Sequence, residues 1–124
     1  QPATPATPAD AAALRGAEEA CRACQGQWGP HGLAGRPSCY CRTHDGGKSC
    51  RSSAECEAGC ELPFDDASAY DGVRCGPKGC RGAKPGVVIP AGRCVEYART
   101  AGCHATIDPV GHDGDVEVHR VCVD

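Results

Sequence analysis

The chain is predicted to form a small disulfide-rich α+β domain with one N-terminal helix, a loop-rich middle and a C-terminal antiparallel β hairpin or meander. Three observations predict it. Twelve of the 124 residues are cysteine, an even number at a density typical of cross-linked scaffolds. Leu, Ile, Val and Phe together number only three, two, nine and one, too few for an ordinary core to offset a backbone entropy of roughly 1–2 kcal/mol per residue. Alternating β-branched segments are concentrated in the last third of the chain, where they favour strands over helices.

Six disulfides are therefore expected, drawn from Cys21, Cys24, Cys39, Cys41, Cys50, Cys56, Cys60, Cys75, Cys80, Cys94, Cys103 and Cys122. Each would restrict the unfolded chain and contribute about 2–4 kcal/mol. The cross-links then stand in for missing hydrocarbon and require an oxidising compartment. A secreted, periplasmic or outer-membrane-tethered location follows. The chain has no initiator Met and no signal peptide, so a targeting segment is expected to have been removed. Lack of Asn and Met, with ten Arg against three Lys, fits a GC-rich bacterial genome.

Taken in order, residues 1–10 (QPATPATPAD) place proline at positions 2, 5 and 8. Such spacing favours extended polyproline conformation and predicts a spacer, with room for a lipid anchor upstream of residue 1. Residues 11–124 are read as a single domain. Asp10 is the expected N-cap of a helix through Cys24, with Leu14, Ala17, Cys21 and Cys24 on one face to be fastened by sulfur. Gly26, Gly29, Pro30, Gly32, Gly35 and Pro37 then predict a loop to Ser38. Cys39–Cys41 reads as a short strand, followed by a turn at Asp45–Gly47 and a cysteine knot over 50–60. A loop-rich insertion is expected at about 61–90, where periodicity is weak. Strand segments follow around 92–97, 102–107 and 115–123, the last two joined at Asp113–Gly114. A hairpin turning there would bring Cys103 beside Cys122.

Net charge of −3 and pI near 5.9, with scattered basic residues, exclude a nucleic-acid footprint. No stretch is long and apolar enough for a transmembrane span. Catalysis is not expected: G-x-S-x-G, H-E-x-x-H and glycine-rich phosphate loops are all missing, and no cofactor is called for. Two other classes merit comparison. Cys21-x2-Cys24 with Cys39-x-Cys41 could supply four thiolates to a metal, or a redox pair. The second spacing is shorter than the usual knuckle, however, and Cys21/Cys24 lie at the wrong end of their helix for a lowered thiol pKa. Cys75-Gly-Pro-Lys-Gly-Cys80 has the turn chemistry of a closed ring that would present Lys78 as a protease inhibitor presents its scissile residue. Trp28, the only tryptophan, is either a plug for the small core or a binding anchor. His104 and His119 could meet on one face, although surface positions explain the five histidines more simply. The aspartates at 108, 113 and 115 lack a full calcium loop.

The segments Trp28-Gly29…Gly32-Leu33, Thr43-His44-Asp45-Gly46-Gly47-Lys48-Ser49-Cys50-Arg51-Ser52-Ser53-Ala54-Glu55-Cys56-Glu57-Ala58-Gly59-Cys60 and Gly92-Arg93-Cys94…Gly102-Cys103…Val121-Cys122-Val123-Asp124 resemble a family of small, cysteine-rich, exported bacterial proteins, many of them described only as hypothetical proteins or lipoproteins. The T-x-D-G-G-K-x-C-x-S-x-x-E-C run and the final C-V-D carry the likeness. No activity or partner comes with it. The resemblance implies that Cys21, Cys39, Cys50, Cys56, Cys60, Cys94, Cys103 and Cys122 are the common set. Cys24, Cys41, Cys75 and Cys80 are then additions that pair among themselves as Cys24–Cys41 and Cys75–Cys80. For the eight others, 105 connectivities stay open, with Cys103–Cys122 favoured by the hairpin. The expected function is that of an exported binding or structural module of the cell envelope, whose partner is an unidentified protein or envelope component.

Overall fold

The computed structural model describes residues 7–31, 35–99 and 101–123. The chain forms one helix, α1 (Pro8–Ala23), and nine strands: β1 (Gln27–Pro30), β2 (Pro37–Tyr40), β3 (Ser49–Cys50), β4 (Cys60–Leu62), β5 (Val73–Gly76), β6 (Gly79–Gly82), β7 (Gly92–Cys94), β8 (Gly102–Val110) and β9 (Asp115–Val123). Short 3-10 turns occupy Ser53–Glu55 and Ala67–Tyr70. β1 and β2 pair alone, and the rest make a seven-stranded sheet in the order β3-β7-β4-β8-β9-β5-β6 with antiparallel neighbours throughout. This is the small disulfide-rich α+β class expected, with the long β8–β9 hairpin at the C-terminal end.

Six disulfides join Cys21–Cys39, Cys24–Cys41, Cys50–Cys60, Cys56–Cys94, Cys75–Cys80 and Cys103–Cys122, and no cysteine is free. Two of the bonds cross a ladder between directly opposed residues, Cys75 facing Cys80 and Cys103 facing Cys122. The hairpin register alone brings these partners together.

Helix α1 begins earlier than expected. Thr7 is its N-cap, accepting from the Asp10 amide, and the Asp10 carboxylate reciprocates by accepting from the Thr7 amide. Asp10 thus closes a capping box at the third helical position instead of capping the helix itself. Pro8 fits the first position, where no amide donor is needed. The spacer assigned to 1–10 accordingly gives up residues 8–10 to the first turn, and residues 1–6 lie outside the described residues. Only Cys21 of the helix is buried, and Leu14 keeps 41% of its surface. The face predicted from Leu14, Ala17, Cys21 and Cys24 is therefore fastened at its sulfur end, while its hydrocarbon end meets solvent.

The stretch 27–30, expected to be loop, is β1, because Pro37–Tyr40 returns beside it and supplies backbone partners from Gln27↔Tyr40 to Pro30↔Pro37. The expected loop-rich insertion at 61–90 is also more deeply built in than its composition suggests. It provides β5 and β6, and it delivers Ala67, Val73 and Ile89 to the core, with Phe64, Tyr70 and Val87 packed against them. Single apolar residues and the short Val87-Val88-Ile89 run have no period to read, yet they join the core cluster.

That core consists of Cys50, Cys60, Leu62, Ala67, Val73, Ile89, Cys94, Ala105, Ile107 and Val118. Three of these ten are half-cystines, so sulfur occupies space that aliphatic carbon fills elsewhere. Register places the core on one face: Leu62 lies opposite Ala105 and Ile107 opposite Val118. Packing is close enough to demand glycine. A Cβ on Gly92 would come 2.7 Å from the Glu61 carbonyl oxygen and 2.9 Å from Cys60 Sγ.

The contrast between a small core and an exposed helix is testable by urea unfolding with the disulfides intact. Ile107→Ala should lower stability by about 2–5 kcal/mol, the usual cost of emptying a fully buried aliphatic site. Leu14→Ala should change it by less than about 0.5 kcal/mol. A comparable loss in both variants would contradict the described packing.

Candidate functional site

Three places gather the residues that the sequence singled out. The first is the junction of α1 with β2. Cys24 Sγ lies 3.7 Å from Cys39 Sγ, and Cys39 Sγ lies 3.9 Å from Cys41 Sγ, so the two disulfides of this junction touch. Gly26 permits the approach, since a Cβ there would sit 2.6 Å from Cys39 Sγ and 2.7 Å from Cys21 Sγ. Gln25, with φ of +53°, makes the left-handed turn out of the helix, and the Gly26 amide donates to the Cys21 carbonyl. The four cysteines considered as metal or redox ligands are thus brought together, but every sulfur is committed to an S–S bond. A second sulfur group, Cys50, Cys56 and Cys94, is likewise spent in disulfides. Trp28 is half-buried opposite Cys39, on the same face of the β1–β2 pair, a position suited to packing over sulfur.

The second place is the T-x-D-G-G-K-x-C-x-S-x-x-E-C segment, where nearly every named residue has a local structural task. The buried Thr43 hydroxyl donates to the carbonyls of Val95 and Glu96. Asp45 Oδ2 accepts from the Glu57 amide. Gly46 lets the backbone pass where a Cβ would come 2.7 Å from Glu96 Cα, and Gly47 takes φ of +86°. Ser52 Oγ accepts from the Ala54 amide while Glu55 accepts from the Arg51 amide, closing the 3-10 turn. Cys50 and Cys56 then bind covalently to Cys60 and Cys94. The motif reports a folding requirement.

Beside it, Glu57 accepts from the His44 backbone amide at 2.6 Å and from the His44 ring at 3.0 Å. The amide first, and the ring second, hold the Glu57 carboxyl below its ordinary value.

The third place is the β5–β6 hairpin. Lys78 projects from a two-residue turn, because Gly76 and Gly79 are already paired. A protease reads an extended segment on both sides of the scissile residue, and a reversal this tight does not provide one. The same turn lines an open cleft of about 620 Å³ with Pro77, Gly79, Cys80, Arg81, Asp113 and Asp115. Arg81, Asp113 and Asp115 were not read from sequence as a group. The aspartates looked like turn residues, and only the three-dimensional meeting of two hairpin tips joins them to Lys78.

The outer face of the sheet carries the two histidines discussed above. Thr106 pairs with His119, and His104 lies two residues from Thr106 on the same side. Each ring is occupied locally: His119 Nδ1 is 2.9 Å from Asp108 Oδ2, and His104 Nε2 is 2.8 Å from the Ala101 carbonyl. Among the described residues no helix is long and apolar enough to cross a membrane.

No family model, curated protein or solved structure matches the chain.

A carboxyl held low in the folded state adds stability above the ordinary glutamate range, and this contribution is lost as pH falls through the folded value. In an NMR titration of the Glu57 side chain, the carboxyl should titrate below an ordinary glutamate. His44→Ala should return it only part of the way, since the backbone amide, the larger cause, remains. Full return would assign the effect to the imidazole alone.

Proposed function

We propose that the chain is an exported, cysteine-rich binding or structural module of the bacterial cell envelope, without catalytic activity. It is further proposed to belong to the family that its T-x-D-G-G-K-x-C-x-S-x-x-E-C run and final C-V-D resemble. One observation supports this reading above others: all twelve cysteines are used in six disulfides. A fold with so little apolar interior and so many cross-links needs an oxidising compartment to form.

The exposed helix adds weight to a tethered arrangement. Its single buried residue, Cys21, sits near its C-terminal end, so its first turns face solvent. A Pro-Ala-Thr spacer ahead of such a helix would place distance between the domain and an anchor. That anchor, as lipid, belongs to the same proposal.

Fractionation of the source bacterium with an antibody against the folded domain provides the test. The protein should be found in the envelope or secreted fraction. Its intact mass should be twelve hydrogens below the reduced form, two for each of six bonds. A cytoplasmic pool with titratable thiols would sink the reading.

A further inference from the structure

Asp115 is the one charged residue that is buried among the described residues. Its side chain is only 8% exposed. Burying a carboxylate is costly unless its oxygens are satisfied, and this one has a single ionic partner, the Arg81 guanidinium at 2.5 Å from Oδ2. Its second oxygen lies over Gly76, where a Cβ would overlap it. Glycine at 76 therefore keeps open the seat from which this carboxylate meets Arg81.

Arg81 is 58% exposed and so presents its remaining N–H donors to the cleft, held in place from behind by Asp115. A guanidinium positioned in this way is suited to receive a carboxylate in two-pronged fashion. Lys78 and Asp113 complete the charged lining, and neither has an ion-pair partner among the described residues. The wall is stiffened by the Cys75–Cys80 bond across the hairpin, which reduces the ordering cost of binding.

The charges select the ligand. Arg81 and Asp115 already compensate each other, which leaves one positive and one negative group, so an anion alone would meet Asp113 and a cation alone would meet Lys78 and the outward face of Arg81. A neutral ligand would strip water from Lys78, Asp113 and the outward face of Arg81 without replacing it. We propose that this cleft binds a zwitterion carrying both an ammonium and a carboxylate, the ammonium beside Asp113 and the carboxylate on Lys78 and Arg81. Free α-amino acids and the ends of short peptides share this chemistry. The cleft volume of about 620 Å³ is ample for either. The assignment deepens the binding reading above and rests on it.

The oxidised protein would be titrated with glycine and with glycylglycine while its backbone amide resonances are followed. At least one should give saturable shifts confined to residues 77–81 and 113–115; which one does so identifies the free amino acid or the peptide end as the source. Glycinamide and N-acetylglycine, or glycylglycinamide and N-acetylglycylglycine, each lack one charge and should bind about tenfold more weakly or worse. Lys78→Ala and Asp113→Ala alter exposed side chains and should keep all six disulfides while weakening binding to a similar degree. No saturable shift with either zwitterion, equal binding of a blocked analogue, or undiminished binding by both variants overturns the site. Such failure in a protein that is oxidised and found in the envelope leaves the exported-module reading intact, which separates the two.

Discussion

Covalent sulfur bridging is the constraint from which the rest of the architecture descends. The bonds close separations from 5 residues (Cys75–Cys80) to 38 (Cys56–Cys94), and each removes disorder from the unfolded chain that burial would otherwise have to overcome. Their distribution is uneven in purpose. Cys50–Cys60 and Cys56–Cys94 lie within or against the hydrophobic cluster and complete it. Cys103–Cys122 joins exposed residues near the free end of the β8–β9 hairpin, where there is no core to protect and only the ladder to hold in register.

Two regions with different physics result. The large sheet combines sulfur with a modest apolar layer. By contrast, α1 with β1 and β2 has only Cys21 and Tyr40 buried among the described residues, and hydrogen bonds tie this region to the segment between β7 and β8: the Arg42↔Tyr97 bridge, the Ala98 amide to the Cys41 carbonyl and the Ala101 amide to the Tyr40 hydroxyl. His31 stacks on the Tyr40 ring at 3.7 Å between centroids, which finishes that side. The sheet region adds hydrocarbon to its four disulfides, and the other depends on two disulfides and hydrogen bonds.

Much of this was legible from residue order, for reasons that differ by element. Asp113–Gly114 between alternating β-branched runs specifies the β8–β9 hairpin locally, so its register and the Cys103–Cys122 bond follow from nearest neighbours. Pairing Cys56 with Cys94 does not, because it depends on β4 lying between β7 and β8, a non-local arrangement. The N-cap was misplaced since Thr7 and Asp10 are both good caps and only the reciprocal bond decides between them. Ala67 and Val73 are hard to read because each is a lone apolar residue among turns, and Val87-Val88-Ile89 is too short a run to show a period. The cleft around Asp115 was hidden for a related reason, as Arg81 and Asp115 are 34 residues apart and belong to separate hairpins.

The twin bonds at the end of α1 also define how the molecule carries mechanical load. A pull on the N-terminal end of α1 leaves the main chain at Cys21 and Cys24 and crosses directly to Cys39 and Cys41. From there it enters the sheet through Thr43, whose amide and hydroxyl both grip the 95–96 backbone. The described residues 25–31 and 35–38 are bypassed by these two bonds. Strand β1 lies beside the line of force, whereas the Cys39 end of β2 lies within it.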